Sequence, residues 1–168
     1  MNAGELGSPL ADNGQPAGDS RETGPPPAMP RPADTGPEGS LSHSLAQRRI
    51  VRFDPGHAVI EYEVLPAICH SGGVAQGGFV AGWIDAAMAH AVMAKYGLGR
   101  VPISLELKVS YFAPANPGRV LAEGWIEKAG GRTVFAEGRL TRLDGTVLAK
   151  ASSTISLIDA SRVAAKMV

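Results

Sequence analysis

One charged side chain stands alone in the most apolar part of this chain. Asp85 is the only Asp, Glu, Lys or Arg in residues 79–94, which read Phe-Val-Ala-Gly-Trp-Ile-Asp-Ala-Ala-Met-Ala-His-Ala-Val-Met-Ala. Burying an unpaired carboxylate is costly, so a sequence that keeps one in an apolar helix usually uses it. We therefore expect chemistry at Asp85. The alternative is that the side chain faces a wet groove or caps a neighbouring backbone group.

Two glycines, Gly77 and Gly78, precede this run where a helix would begin. The first N–H groups of a helix have no partner within the helix, and the helix dipole favours negative charge beside them. Because glycine has no Cβ, a ligand can approach these groups closely, and they could hold a carbonyl oxygen that gains charge. Asp85 lies seven residues after Gly78, at ~100° per residue two turns along the same face. The spacing predicts one shared cleft, and the alternative is a tight turn into the helix.

Other reactive side chains fit no catalytic pair. His90 follows Asp85 by five residues, which places the two side chains ~140° apart on a helix, so we expect a core histidine with a satisfied hydrogen bond. Cys69 and His70 are adjacent in an extended segment and point apart. The sequence also contains no Ser-His-Asp pattern, no Gly-x-Ser-x-Gly elbow and no metal motif.

The elements around Asp85 are predicted from periodicity and turn residues. The helix should run from Gly77 or Gly78 to Tyr96, because glycines and a proline follow. A hairpin over 48–53 and 58–64 should precede it, and strands over 103–111, 120–128, 133–142 and 146–158 should follow. Short turns between consecutive strands indicate antiparallel pairing. The prediction is an α+β fold, with one long helix wrapped by an antiparallel sheet of five or six strands.

Composition divides the chain into three parts. Residues 1–40 hold eight of the 13 prolines and no aromatic residue, so we expect a disordered tail over 1–45. A single folded domain should cover 46–160, with a short C-terminal tail over 161–168. The region after residue 40 has ten acidic and 14 basic side chains, without the basic and aromatic clusters typical of nucleic-acid binding.

Cysteine usage and hydropathy indicate the compartment. Cys69 is the only cysteine, which excludes an internal disulfide framework and fits a reducing cytosol. No stretch has the pattern of a secretory signal or a membrane span. We therefore expect a soluble, cytoplasmic protein without a membrane partner.

Three motifs together resemble hotdog-fold acyl-CoA thioesterases of the phenylacetic-acid-degradation type. These are Val-Ala-Gln-Gly-Gly-Phe at 74–79, Asp85 at its offset from the glycines, and Leu-Glu-Leu-Lys-Val-Ser-Tyr-Phe-Ala-Pro at 105–114. Asp-Gly-Thr-Val-Leu-Ala-Lys-Ala-Ser at 144–152 is similar to the last hairpin of the family. The resemblance covers about Ile60 to Ile158. It implies the hotdog fold and hydrolysis of a CoA thioester to free acid and CoA.

The resemblance also implies roles for individual residues. The Gly78 N–H is the expected oxyanion donor, next to Gly77, and Asp85 is either the nucleophile, giving a mixed anhydride, or the general base for water. His70 stands where the family usually has Asn or Gln, and Gln76 where it often has His; both can donate and accept hydrogen bonds. Each could equally be an ordinary loop residue.

Ser104 matches a Ser or Thr that orients the acid in the family. The odd-numbered apolar residues from Ile103 to Tyr111 alternate with polar ones, so regular alternation places Ser104 on the opposite face. Ser104 would then reach an active site only if its face bordered a subunit interface, which is where the family builds its sites. The family implies a homodimer or a tetramer formed as a dimer of dimers.

Substrate contacts are expected from Phe79, Gly82 and Met88 on the helix, while the phosphates of CoA would meet Arg100 or Lys108 at the rim. We expect no metal and no cofactor beyond the CoA of the substrate. Two alternatives remain open: a hotdog-fold enoyl-CoA hydratase or dehydratase, and a noncatalytic module that binds or senses acyl-CoA.

Overall fold

The structure is a computed structural model that describes residues 31–164, so most of the predicted N-terminal tail and residues 165–168 lie outside the described part. The elements in chain order are α1 (Leu41–Ser44), β1 (Gln47–Asp54), β2 (His57–Val64), a 3-10 turn (Pro66–Ile68), α2 (Gly77–Tyr96), β3 (Arg100–Tyr111), β4 (Gly118–Ala129), β5 (Thr133–Arg142), β6 (Val147–Asp159) and α3 (Ala160–Ala164). None of the helices in this part combines the length and hydropathy of a membrane-spanning segment.

The six strands form one antiparallel sheet in the order β1-β2-β4-β5-β6-β3. Helix α2 lies against this sheet and contacts all six strands. This confirms the predicted α+β hotdog arrangement of a long helix held by an antiparallel sheet. The two edges of the sheet are β1 and β3, each with one neighbour in the chain.

Helix α2 begins and ends where the sequence predicted. Gln76 is the N-cap, and Gly97 ends the helix with a φ of 70°, a left-handed conformation that favours glycine. The side chains that face the sheet are fully buried; they include Trp83, Ile84 and Met88. The helix is therefore fixed by packing along its whole length.

Two glycines of the sheet lie against this helix. Gly124 on β4 and Gly138 on β5 are register partners. A Cβ at Gly124 would overlap the backbone of Met88, and a Cβ at Gly138 would lie 2.6 Å from Cγ2 of Ile84. Helix α2 thus lies directly on the backbone of the sheet at this point.

Ordered structure starts before the predicted domain boundary at residue 46. Asp34 accepts hydrogen bonds from the Ile50 N–H (3.0 Å) and, through its backbone carbonyl, from Nε2 of Gln47 (2.8 Å). The Leu45 carbonyl accepts from Nε1 of Trp83 at 2.9 Å. These contacts attach residues 34–45 to β1 and α2, although the segment is rich in proline and glycine. At the other end, α3 continues the structure to Ala164.

Strand β3 contains an irregularity that the sequence did not predict. Its pairing with β6 shifts register between Ser104 and Glu106, which leaves Leu105 as an extra residue. Leu105 is 66% exposed and Ile103 is 41% exposed, whereas Leu107 and Val109 pack against the core. The prediction of unbroken alternation was therefore wrong at Leu105, and side chains before and after the bulge do not follow one pattern.

Candidate active site

Asp85 lies on the half-buried side of α2 and has a hydrogen-bonded partner. The Ser104 hydroxyl donates to Oδ1 of Asp85 at 2.7 Å. Within residues 31–164, Ser104 is the only side chain that donates to this carboxylate. The bond fixes one carboxylate oxygen and leaves Oδ2 available for chemistry. The carboxylate that stands alone in the apolar run is therefore fixed by one hydrogen bond and remains partly accessible.

The bulge at Leu105 explains how Ser104 reaches Asp85 within a single chain. Regular alternation would have placed Ser104 on the side opposite Leu107 and Val109, which pack towards α2. One extra residue reverses that relationship, so Ser104 and the later apolar residues all face the helix. The expected requirement for a subunit interface at Ser104 is therefore removed.

The start of α2 presents the Gly78 N–H together with its current partner. Oε1 of Gln76 accepts a hydrogen bond from this N–H at 2.6 Å and so caps the helix. Both residues are exposed. The predicted oxyanion donor is thus accessible, but a substrate oxygen would have to replace the Gln76 side chain to use it.

Tyr111 binds the carbonyl side of the Gly77–Gly78 peptide bond. The Tyr111 hydroxyl donates to the Gly77 carbonyl at 2.9 Å, and that carbonyl belongs to the peptide bond that carries the Gly78 N–H. The orientation of the donor is therefore set by a residue at the end of β3. Sequence reasoning missed Tyr111, because nothing in the local pattern joins two positions 34 residues apart.

His70 lies in the loop before α2 and bonds within that loop. Its Nδ1 accepts from the Gly72 N–H at 3.0 Å, and its backbone carbonyl accepts from the Gly73 N–H at 2.9 Å. The side chain is exposed. The hydrogen bond orders a tight turn, and within one chain the structure does not join His70 to Asp85.

Axial spacing separates the two central groups of the site. Seven residues at 1.5 Å per residue place Gly78 and Asp85 about 10 Å apart along α2. A carboxylate must approach within about 3–3.5 Å of the carbon it attacks. Helical periodicity places both residues on one face, but one carbonyl group cannot touch both residues of the same chain directly, and the shared cleft stays a prediction.

The predicted substrate contacts differ in accessibility. Phe79 is half-buried, with its ring tilted against Trp83 at a centroid distance of 6.4 Å, and a Cβ on Gly82 would lie 3.6 Å from Leu45. Met88 has 0% exposure and belongs to the core, so a substrate in the cleft cannot contact it without opening the core.

The predicted phosphate-binding residues are exposed. Lys108 lies on the face of β3 away from α2, opposite Ser152 in register, and Arg100 lies at the start of the same strand. The structure therefore does not place Lys108 beside Asp85 within one chain. In residues 31–164, no cluster of three or more His, Cys, Asp or Glu side chains could hold a metal ion.

His90 is half-buried and has the satisfied hydrogen bond that was expected, but it is not part of the core. Its Nδ1 is 2.7 Å from the Ala86 carbonyl, and because a carbonyl only accepts, Nδ1 carries the proton. The ring also meets Phe53 edge to face at 6.3 Å. Burial lowers the pKa of His90, only partly opposed by the hydrogen bond to Ala86. His90 is therefore kept neutral and does not pair with Asp85.

A cavity of about 340 Å³ lies beside the start of α2. Gly77 and Tyr111 form part of its wall, and the remaining lining is largely apolar, with contributions from Val74, Val80, Ala113, Pro114 and Leu148. The site therefore combines a held carboxylate, an accessible helix N-terminus and an adjoining apolar space.

Comparison with known proteins agrees with this geometry. Residues 72–149 match the family model of the thioesterase superfamily. A comparison with curated proteins finds no significant match. Among solved structures, a conserved protein of Pseudomonas aeruginosa is 24% identical and superposes with a TM-score of 0.67, covering 71% of this chain and 94% of that one.

Two further solved structures share the fold of the chain. A phenylacetic acid degradation-related protein of Ralstonia eutropha is 25% identical, with a TM-score of 0.66 and coverage of 72% of this chain and 92% of that one. A hypothetical thioesterase of Streptococcus pneumoniae, solved with coenzyme A, is 20% identical, with a TM-score of 0.62 and coverage of 66% and 88%. The resemblance drawn from the sequence is confirmed: residues 72–149 match the thioesterase superfamily model, and the fold of the chain is similar to that of these solved structures.

Proposed function

We propose that the protein hydrolyses an acyl-CoA thioester to a free acid and CoA, with Asp85 as its catalytic residue. The observation that carries the proposal is the 2.7 Å hydrogen bond from Ser104 to a half-buried carboxylate that is the only Asp, Glu, Lys or Arg side chain in residues 79–94. A bond of this kind aims the carboxylate without neutralising it. Thioester hydrolysis needs an ionised, oriented oxygen of this type.

Two routes use the free Oδ2 of Asp85. As a nucleophile, it attacks the thioester carbon, the C–S bond breaks, CoA leaves as a thiolate that takes up a proton, and water then hydrolyses the mixed anhydride. As a general base, it takes a proton from a water molecule that attacks the same carbon. Single-turnover hydrolysis in ¹⁸O-labelled water identifies the first route if the label enters the Asp85 carboxylate, which happens when water attacks the aspartyl carbon of the anhydride; the general-base route labels only the product acid.

The Gly78 N–H supplies the second function, stabilisation of the oxygen that becomes negatively charged. The thioester oxygen takes the position that Oε1 of Gln76 occupies at 2.6 Å. Tyr111 keeps the peptide in place while this exchange occurs, because its bond is to the carbonyl on the other side of the peptide. His70 and Gln76 then remain available to contact the substrate or water.

The 10 Å axial spacing supports a site shared by two copies of the chain. Direct attack by Asp85 on a carbonyl held at Gly78 requires the two residues to come from different helices, whereas the route through water also tolerates one chain. Strand β3 is an unpaired edge of 12 residues, with Ile103 and Leu105 exposed. An apolar edge of this length favours pairing with a second copy. We therefore propose a homodimer, which could associate further into a dimer of dimers.

Findings on relatives support acyl-CoA as the substrate. The pneumococcal protein with coenzyme A shares the fold of this chain, and the thioesterase family model covers both Gly78 and Asp85. The hydratase alternative needs a histidine partner for Asp85, but His90 is half-buried, neutral and hydrogen-bonded to Ala86 instead. Cys69 is a half-buried free thiol, which fits the proposed cytoplasmic location.

The central test compares the parent protein with Asp85→Asn, which keeps the shape of the side chain but removes its charge. We expect the parent to release free thiol from acyl-CoA substrates and the variant to lose about 10²–10⁴-fold in kcat. Ser110→Ala, on the opposite face of β3, serves as the control and should retain full activity. Hydration of an enoyl-CoA without thiol release would indicate the hydratase, and tight binding with neither reaction would indicate the noncatalytic module.

A complementation experiment tests the shared site. Gly78→Pro removes the N–H in the first turn, where proline is tolerated, and Gly78→Ala retains it as the matched control. We expect Gly78→Pro and Asp85→Asn to be inactive alone and to regain part of the parent activity when they are unfolded and refolded together. No recovery in mixed oligomers would assign both groups of each site to one chain, and hence the route through water.

A further inference from the structure

We propose that residues 31–34, here called the clasp, close the edge of β1 against a second copy of this chain. Strand β1 is the edge of the sheet opposite β3, and the clasp lies along its free side. This role is separate from the proposed catalysis, because it decides where pairing between the sheets of different copies stops.

The clasp occupies both backbone groups of one residue at the centre of β1. The Asp34 carboxylate accepts a hydrogen bond from the Ile50 N–H at 3.0 Å, and Nη2 of Arg31 donates to the Ile50 carbonyl. In an antiparallel pair of strands, the backbone of the neighbouring strand supplies one acceptor and one donor of this kind. The two side chains therefore take the place of a neighbouring strand, and no second strand can pair with Ile50 while they are bound.

Further contacts fix the clasp in this position. Nη2 of Arg31 lies 2.9 Å from Oδ1 of Asp34, and the Asp34 backbone carbonyl accepts from Nε2 of Gln47 at 2.8 Å. The hydrogen bond from Ile50, followed by that from Arg31, lowers the pKa of Asp34 from the ordinary value of 3.8. The carboxylate is therefore ionised at neutral pH and can accept from both partners.

The regular part of the β1 edge is short, so a small segment can close it. The pairing of β1 with β2 shifts register between Gln47 and Arg49 and again between Ile50 and Arg52. Such irregularities interrupt the ladder of backbone hydrogen bonds. A strand that paired along β1 would have to pass Ile50, which lies between the two shifts and has both of its groups occupied.

Charge repulsion between copies does not close this edge by itself. Strand β1 carries three arginines, and each has a carboxylate partner in the same chain: Arg48 with Glu63 at 4.0 Å, Arg49 with Glu61 at 3.0 Å and Arg52 with Asp54 at 2.5 Å. Val51 on the same strand is 44% exposed. Without the clasp, β1 would present free N–H and C=O groups on an edge whose charges are compensated, and such an edge favours pairing with another chain.

The two edges of the sheet therefore differ in what they can accept. No segment among residues 31–164 pairs with the free side of β3, whereas the clasp covers β1. Copies that pair through β3, as proposed above, form a closed pair because neither outer β1 edge accepts a further strand. Open β1 edges would let pairing continue into an open-ended assembly.

Variants of the full chain test the clasp. Arg31→Ala combined with Asp34→Ala removes it, and Asp34→Asn alone keeps an oxygen that can accept from the Ile50 N–H. The matched control combines Arg132→Ala with Glu38→Ala, which removes the same two charges at exposed positions. Hydrogen exchange of the Ile50 amide, measured on dilute protein, should become about tenfold faster in the clasp double variant and stay at the parent rate in the control.

Sedimentation velocity over about two orders of magnitude in concentration measures the assembly. The parent, the control and Asp34→Asn should reach a constant mass, whereas the clasp double variant should form species that keep growing with concentration. The indole N–H signal of Trp83, which reports its bond to the Leu45 carbonyl, should match that of the parent and so show that the variant is folded.

The Ile50 amide also shows where the new contact forms. In the clasp double variant, its exchange should slow again as the concentration rises, because the β1 strand of a second copy then takes the place of the clasp. Growth in mass while the Ile50 amide still exchanges rapidly would mean association through another surface, and the proposal would be wrong. Rapid exchange without growth, or exchange at the parent rate, would equally overturn it.

These outcomes do not depend on the proposed function. Neither measurement requires turnover, so a parent that hydrolyses no thioester would contradict the proposed activity and leave the clasp standing. A monomeric parent would contradict the proposed homodimer, and the clasp would still be judged by the change in mass and in Ile50 exchange between the parent and the double variant.

Discussion

The two faces of α2 differ in size of side chain, burial and task. The face against the sheet carries large side chains such as Trp83, Ile84 and Met88, all with 0% exposure. The other face carries small residues, including Gly82 and Ala86, which are half-buried together with Asp85. One helix therefore provides both the centre of the core and the floor of the candidate active site.

This difference shows how one apolar helix can be firmly packed and still carry an accessible functional group. The large side chains fix the helix against the sheet, so the small face does not need to contribute packing and can leave room for a ligand. Substitutions on the two faces should therefore have different effects. Changes on the large face should reduce stability, and changes around Asp85 should reduce activity.

The largest effect is expected on the buried face. Met88→Ala leaves a cavity under α2 and should lower the free energy of unfolding by about 2–5 kcal/mol, measured by chemical denaturation. The kcat per folded molecule should stay unchanged, because Met88 is not accessible from the cleft. Met93→Ala, at a half-buried position of the same helix, is the control and should cost less. Loss of kcat in a fully stable Met88→Ala would abolish the distinction between the faces.

A smaller effect is expected at the partner of Asp85. Ser104→Ala removes a hydrogen bond to a charged group, worth about 1.5–3 kcal/mol, so kcat should fall by about 10- to 100-fold while KM stays constant. Ser104→Thr keeps the hydroxyl and should restore most of the activity. An equal loss in both variants would mean that Ser104 acts through packing and not through its hydroxyl.

The smallest effect is expected from His90, which lies towards the end of the small face. Its pKa is lowered by burial from the ordinary value of 6.5, so the unfolded chain takes up this proton first as the pH falls. The stability that His90 contributes is present above about pH 6.5 and is lost as the pH falls through its folded pKa. Denaturation curves between pH 7 and 5 should show this slope, and His90→Leu should flatten it. An unchanged slope would assign the pH dependence to other groups.

The sequence predicted those parts of the molecule that follow a regular period. Helix α2 was predicted from its apolar run and from the glycines at both ends, and the hairpins were predicted from alternation and turn residues. These signals are local, because each is set by residues within a few positions of each other. The pairing of Asp85 with a serine came from the family resemblance, and the geometry of that pair needed the structure.

The remaining features depend on contacts between distant segments. The bulge at Leu105 could not be predicted, because Ile103, Leu105 and Leu107 alternate in sequence as a regular strand would. The hydrogen bond from Tyr111 to Gly77 joins a strand end to a helix start, and the order of residues 34–45 depends on partners in β1 and α2. Composition alone gives no sign of any of them.

Gly124 and Gly138 have a consequence for the candidate active site, although they lie on the sheet side of α2. Because the backbone of α2 lies against Gly124 and the Ile84 side chain lies against Gly138, the absence of two side chains sets how close the helix lies to the sheet. A methyl group at either position would overlap atoms of α2. It would push the helix, and with it Asp85, away from the sheet and so change the position of Asp85 relative to Ser104 on β3. The position of Asp85 relative to Ser104 is therefore set from the sheet side of α2, at two places where the protein has no side chain at all.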